Sequence, residues 1–430
     1  MKINILILLA GICLSGCMQK DHQQEAANTR QPASPRFEAR YDRSNPPVAI
    51  DIESALQRPA SLKLSQVASK LEYYNVGDAR YTPTQAIAIP DSDAFITFNN
   101  PRIYYRKRGI PSKRYAFKAL AYKWNNRMNG LNMFYDKKTT RMYCALSGMN
   151  RENKEDSLAI QPPAPLIGEL PTLDTLLTMK SYVYPESVPA KYPFGSPYDK
   201  LIGFSSSGYT LCYFEHDTIV PNGVITFNLQ GDTLCKFAFK ETEPTLACTP
   251  SDSLQMFQTF YWNTAQDKMN FMIPFCDTVY QLADQQTLIP LYAIQKKEDS
   301  GKPIGLRSFL ENPQGLFIGM YQKSSPIIGN WLGWWDEFKP ILTHRIAYLK
   351  KEGKTISLPH NSGGFINDLD GGLPFWPDGQ TDDCLYMLRT VTEMREMVKR
   401  TGSPAQAELI KFLDDPMVHE RDFVMIVARP

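Results

Sequence analysis

The chain has 430 residues, of which 43% are hydrophobic, 12% aromatic and 21% charged, and its formal net charge is +2. That balance describes a folded globular body and excludes the basic field that nucleic-acid binding needs, so no nucleic-acid partner is expected. Behind the N-terminal region about 380 residues remain, enough for one large β domain or two ordinary ones.

Met1-Lys2 is a short positive start, and Ile5 through Leu14 is an apolar run too short to cross a bilayer as a stable helix. This is signal-peptide patterning. It ends in Leu14-Ser15-Gly16-Cys17, an aliphatic residue and two small ones ahead of a cysteine, which resembles the bacterial lipobox. The resemblance implies loss of residues 1–16 and a diacylglycerol on the Cys17 sulfur, with two or three acyl chains holding the protein to a membrane. The other reading is an ordinary signal peptide followed by an incidental cysteine.

From Met18 to about Pro47 the sequence is rich in Gln, Ala, Asn, Ser, Pro and charge. Such a stretch buries too little apolar surface to offset its ordering entropy. Residues 17–47 are therefore expected to be the lipidated cysteine and a flexible tether, and 48–430 a single folded domain. The expected address is the cell envelope, with the anchor in the outer membrane. Lys20-Asp21 resembles the charged signal of some surface-exposed Bacteroidota lipoproteins, and surface and periplasmic faces both stay open.

Short apolar runs broken by turn chemistry then dominate. Phe95–Phe98 and Arg102–Tyr105 flank Asn99-Asn100-Pro101; Leu131–Tyr135 and Arg141–Leu146 flank a polar Lys/Thr turn; Val224–Leu229 and Leu234–Phe239 flank Gln230-Gly231-Asp232. Met269–Ile273 and Thr278–Leu282 make a fourth hairpin, and Phe317–Tyr321 and Arg345–Leu349 are further strands. Helical signal is confined to two places. Val391–Lys399 carries apolar residues at helical spacing, and Ser403-Pro404-Ala405-Gln406 reads as a capping box opening a helix to about Leu413. Phe423–Ala428 is a strongly apolar strand that needs partners inside a sheet. Many short antiparallel strands over this length leave a barrel, paired sandwiches or a propeller. Hairpins recurring every 40 to 60 residues or so favour the propeller.

Of eight cysteines, Cys13 leaves with the signal peptide and Cys17 is lipidated. The remaining six are widely spaced and lie mostly in strand-like runs, so they are expected to be mostly reduced, buried apolar side chains. Cys235 with Cys248 is the first pair to check for a disulfide.

Ile50-Asp51-Ile52-Glu53, Leu62 through Ala68 and Leu71-Glu72-Tyr73-Tyr74 resemble the lead-in of six-bladed β-propeller lipoproteins of Bacteroidota. Asp277-Thr278-Val279-Tyr280, Asn367 through Pro377, and Asp414-Asp415-Pro416 with the last strand are similar to later segments of that group. The resemblance spans nearly the whole mature chain and is strongest to an uncharacterised Bacteroides lipoprotein set. It implies an all-β, six-bladed propeller with small helical insertions near the C-terminus. An N-terminal strand near Leu62–Tyr74 is then expected to complete the blade holding Phe423–Ala428, which removes two open edges.

Candidate chemistry is sparse. Asn367, Asp368 and Asp370 beside Gly371-Gly372 are clustered oxygen ligands that suit Ca²⁺; the competing reading is a turn whose side chains bond their own backbone. Trp331, Trp334, Trp335 and Trp376, with Asp336 adjacent, suit a stacking platform for sugars or a partner protein; burial between blades is the competing reading. Glu215-His216-Asp217 is a compact titratable cluster in a turn position, and His344, His360 and His419 are isolated histidines. Ser205-Ser206-Ser207-Gly208 lacks a nucleophile elbow, and no catalytic residue is assigned. The leading expectation is an envelope binding module for glycans or a partner protein. The alternatives are a propeller hydrolase or lyase acting on a polysaccharide, and a structural or sensory subunit of an envelope complex.

Overall fold

A computed structural model describes residues 35–78, 85–89, 94–99, 102–107, 110–115, 128–136, 141–148, 166–170, 178–181, 201–205, 207–213, 223–230, 232–239, 260–263, 268–273, 277–295, 304–322, 327–328, 339–340, 344–381 and 384–430. The chain opens with β1 (Arg40–Tyr41), β2 (Val48–Asp51), helix α1 (Ile52–Gln57), a 3₁₀ turn at Leu64–Gln66 and β3 (Lys70–Asp78).

Antiparallel four-stranded sheets follow in strict succession. Blade 1 is β4 (Gln85–Ile89), β5 (Ala94–Asn99), β6 (Arg102–Lys107) and β7 (Ile110–Tyr115). Blade 2 is β8 (Met128–Asp136), β9 (Arg141–Gly148), β10 (Leu166–Leu170) and β11 (Thr178–Ser181). Blade 3 is β12 (Leu201–Ser205), β13 (Gly208–Tyr213), β14 (Gly223–Phe227) and β15 (Thr233–Ala238). Blade 4 is β16 (Phe260–Asn263), β17 (Met269–Met272), β18 (Thr278–Asp284) and β19 (Thr287–Gln295). Blade 5 is β20 (Ile304–Asn312) and β21 (Gly315–Gln322), then, past the small pair β22 (Ile327–Ile328) and β23 (Lys339–Pro340), β24 (His344–Leu349) and β25 (Lys354–Ser357). Blade 6 is β26 (Gly379–Thr381), β27 (Cys384–Thr390) and β28 (Asp422–Arg429), completed by β3 from the other end of the chain.

The first strands form the inner ring: β4 touches β8 and β26, β8 touches β12, β16 touches β20, and β20 touches β26. The fold is an all-β propeller of six blades with small helical insertions near the C-terminus. All four expected hairpins form, and β21 pairs with β24. The expected closure forms too, with a shift: the N-terminal strand runs Lys70–Asp78 and pairs from Arg429↔Lys70 to Asp422↔Asp78, whereas Leu62–Ala68 lies ahead of it as extended chain and a 3₁₀ turn.

Stacked blades explain why these strands read as continuous apolar runs. Alternate residues serve opposite seams. On β28, Val424, Ile426 and Ala428 face blade 5, while Met425 and Val427 face blade 1. On β24, Ile346 and Tyr348 face blade 4, while Ala347 and Leu349 face blade 6. A strand buried on both faces has no polar side to display.

The N-terminal segment is docked earlier than the expected tether boundary at Pro47. Arg36 and Phe37 donate backbone N–H groups to the carbonyls of Thr233 and Leu234, at 3.1 and 2.8 Å. β1 and β2 then pair in parallel with β19, covering its outer edge. Helix α2 (Val391–Met397) and, after a 3₁₀ turn at Pro404–Gln406, α3 (Ala407–Leu413) lie between β27 and β28. A reciprocal capping box starts α2, where Thr390 Oγ1 accepts from Glu393 N and the Glu393 carboxylate accepts from Thr390 N. The box expected at Ser403 is only half formed. Ser403 Oγ accepts from Ala405 N, but Gln406 reaches back to Thr401 because its amide is held between the Lys399 carbonyl and Thr401.

Candidate binding face and its supports

Blades related by rotation around one channel present corresponding turns on the same face. First-to-second and third-to-fourth strand turns share one side, and side-chain bonds tie them together there. Lys350 Nζ donates to the Asn312 carbonyl at 2.9 Å, and Gln285 Nε2 to the Ser207 carbonyl at 2.7 Å. The longest connection on that side is 171–177. Every longer one leaves from the opposite side: 116–127, 149–165, 182–200, 214–222, 239–259, 296–303, 323–343, 358–378 and 391–421. The protein thus has a short-turn face and a long-connection face, and long connections on a rigid scaffold are where binding residues concentrate.

Trp331, Trp334, Trp335 and Asp336 fall in one of these connections, between β22 and β23, and lie outside the described residues. Cys17, Cys248 and the Glu215-His216-Asp217 cluster also lie outside them. Trp376, expected in the platform, is instead 4% exposed. Its ring stacks on Phe365, with centroids 5.9 Å apart, and meets Phe317 edge-on at 6.4 Å. It packs in the seam between blades 5 and 6, in one cluster with Phe317 and Leu349 of blade 5 and Leu385 and Ile426 of blade 6.

The oxygen-ligand cluster sits in the same seam. Asp370, 8% exposed, accepts hydrogen bonds from Tyr73 Oη, Asn367 Nδ2 and Gly372 N. Asp368 accepts from Ser65 N and Ser65 Oγ, pinning the 3₁₀ turn at Leu64–Gln66. Burial raises the Asp368 carboxyl, but the two Ser65 bonds outweigh it and hold the group below its ordinary range. Tyr73 is pushed well above its ordinary value by burial first and by the Asp370 charge second. Gly371 takes φ +68°, and a Cβ on Gly372 would press on Asn367, Asp370 and Leu409 at about 3 Å. A Ca²⁺ ion here would have to displace donors that these carboxylates already hold. Among the described residues no three His, Cys, Asp or Glu side chains are grouped to hold a metal.

Another buried polar hub is one the sequence reading missed. Glu311, at the end of β20, accepts from Asn270 Nδ2 (2.7 Å), Tyr292 Oη (2.8 Å) and Lys350 Nζ (2.6 Å). Asn270 in turn accepts from Gln281 Nε2 at 2.9 Å, and Glu311 N donates to Gln380 Oε1 in blade 6. Blades 4 and 5 meet on the Glu311 carboxylate, and the backbone of the same residue reaches blade 6. A signal was present: Glu311 lies two residues from the buried Phe309 on the same face of β20, and Asn270 interrupts an apolar run.

On the long-connection side, the rings of His344, at the start of β24, and His360, just past β25, have centroids 6.4 Å apart. Burial, and then the neighbouring His360, lower the His344 imidazole below its ordinary value. His419 is exposed, and its backbone N–H donates to Asp422. Ser205 pairs with Gly208 where β12 and β13 meet, and a Cβ on Gly208 would fall 2.0 Å from the Phe227 carbonyl oxygen. In blade 1, Arg106 is buried, donates to Thr97 Oγ1 and lies 4.8 Å over the Tyr104 ring. Burial brings its guanidinium down to about 10, which leaves it charged at neutral pH. Cys235 and Cys384 are buried, as expected for most cysteines, and Cys235 is not bridged to Cys248.

Similar solved structures include a streptogramin B lyase (TM-score 0.38, 9% identity, 83% of this chain and 97% of that one). Others are virginiamycin B lyase from Staphylococcus aureus (TM-score 0.37, 8% identity, 84% and 100%) and a protein of unknown function from Bacteroides caccae (TM-score 0.36, 10% identity, 67% and 94%). No curated protein sequence matches. The fold rests on the strand pairing above, and no chemistry is carried over from these structures. The family whose pattern the chain matches, over residues 32–400, is described as a domain of unknown function, and the chain belongs to that family, DUF4933.

Proposed function

We propose that this protein is a lipid-anchored envelope lipoprotein whose propeller binds a glycan or a partner protein through the long-connection face. The observation that carries the reading is the division of the faces: every connection longer than 171–177 leaves from one side. The connection between β22 and β23 adds three tryptophans and Asp336, residue types suited to stacking on sugar rings with a polar handle beside them. The Leu14–Cys17 lipobox supplies the anchor and implies processing after residue 16. The test is a thermal-unfolding screen of the chain from residue 18 against host and microbial glycans, since a ligand of the native state raises the midpoint by mass action. A glycan-specific rise that Trp334→Ala or Trp335→Ala removes supports the reading. A panel with no shift rejects the glycan form and leaves the protein-partner form to cross-linking in intact cells.

The second reading, a polysaccharide hydrolase or lyase, is favoured by one observation. His344 is lowered, hence a neutral base at pH 7, and stands beside His360 at that side of the ring. Release of reducing ends that is lost in His344→Ala, with folding intact, would establish it.

A further inference from the structure

We infer that the short-turn face lies toward the bilayer and that the long-connection face is held away from it; this rests on the lipid-anchor reading. The point where the chain joins the body decides the matter. Arg36 is bonded to Thr233, the first residue of β15 after the turn 228–232, and Arg40 donates to the Gln286 carbonyl in the turn between β18 and β19. Both turns belong to the short-turn face. From there β1 runs beside Thr287–Leu288, and β2 climbs beside Tyr292–Gln295 toward the other face. The attachment is therefore on one side of the ring and not at its middle. Backbone bonds to two blades fix it there.

Residues 18–34 connect this attachment to Cys17. Taken as the tether expected from its polar composition, this stretch has the root-mean-square span of a flexible chain of its length, about 23 Å. The two faces are about 30 Å apart, judged from a nine-residue strand such as β20. With the short-turn face down, the tether stays relaxed. With the long-connection face down, it must reach the whole depth of the ring, and Gaussian chain statistics disfavour that by about tenfold. The orientation needs no specific contact with lipid. It leaves the tryptophan-bearing connection facing whatever lies beyond the membrane surface, which suits a large, immobile or particulate ligand better than a membrane lipid.

The test uses the full-length acylated protein reconstituted in phosphatidylethanolamine/phosphatidylglycerol vesicles. A donor fluorophore is placed through an unnatural ketone side chain at Gln230 (short-turn face) or Asn361 (long-connection side), both exposed, with a lipid-bound acceptor in the bilayer. Quenching at least about twofold stronger from position 230 is expected for faces about 30 Å apart. Equal quenching, or stronger quenching from 361, overturns the orientation while leaving the anchor standing. A mature chain whose mass shows no acyl group on Cys17 overturns the anchor reading, and the orientation falls with it.

Discussion

The two seams that flank blade 5 are held by opposite means. Toward blade 4, an apolar layer of Ile318, Met320, Ile346 and Val279 is crossed by the Glu311 hub, a buried carboxylate with two donors from blade 4 and a lysine from a turn of blade 5. Toward blade 6, the space is filled by chain that belongs to neither sheet. Residues 358–378, the Leu62–Ala68 stretch and the insertion helices supply Phe365, Phe375, Trp376, Leu64, Leu409 and Leu413. The first seam joins adjacent blades and can afford a charged tie. The second adjoins the closing blade and depends on volume.

The comparison can be broken from either side. Phe375→Ala, which empties the middle of the seam toward blade 6, is expected to cost about 3–5 kcal/mol in urea unfolding. Glu311→Ala should cost about 3 kcal/mol, because it leaves Lys350, Tyr292 and Asn270 without their acceptor. A double change, Glu311→Met with Lys350→Met, removes the charges but still strands the Tyr292 and Asn270 donors. A residual loss of about 2 kcal/mol is expected, and full recovery would show that the ion pair alone ties the seam.

Asp370→Ala is expected to cost about 1–3 kcal/mol by orphaning Tyr73 Oη. In the same assay, Ca²⁺ and chelator should give equal midpoints; a chelator-dependent drop would move Asn367, Asp368 and Asp370 back to a metal site.

The pH response separates the regions further. Burial raises the Glu72 carboxyl, but bonds from Lys70, Arg429 and Tyr74 outweigh it, so its folded value lies below its unfolded one. Its stabilisation is full above the unfolded value and is lost as pH falls through the folded one. Glu72→Gln should therefore flatten the loss of stability below about pH 4.5. His344 is a base with a lowered folded value, so its neutral form is the stable one. Its contribution is present above the ordinary histidine value and fades as pH drops below about 6.5, which His344→Gln should abolish. The smallest effect is expected for Trp376→Phe. It sheds a buried indole N–H that has no hydrogen-bond partner, so the net cost should be about 1 kcal/mol, with glycan binding unchanged.

The hairpins were legible because each is local: two apolar runs and a turn within about twenty residues carry their own pairing. The closing strand was legible as a type of partner but not in register, since Leu71–Tyr74 and Val76 read equally well with the apolar stretch before them. The supports were not legible. Glu311 finds Asn270 and Tyr292 in another blade, 41 and 19 residues away, and Asp370 finds Tyr73 across 297. Trp376 reads as a surface platform beside Pro374 and Pro377 because nothing local reports that Phe317, from a different sheet, covers it. Composition marks which residues can do chemistry; only the folded ring decides which are spent on holding it shut.

Completion of blade 6 by β3 also sets a clock. Ser69 Oγ bonds the carbonyl of Pro430, 361 residues further on. At about 5–20 residues per second of synthesis, β3 waits on the order of twenty seconds to over a minute for the strand that will accept it. During that interval β3 has no strand partner. The polar and charged side chains at Lys70, Glu72 and Asn75 make it a poor partner for stray strands until β28 arrives. The seal that keeps the finished ring shut is thus also the last step of its making, and a chain cut short before β28 is left as an open arc of blades.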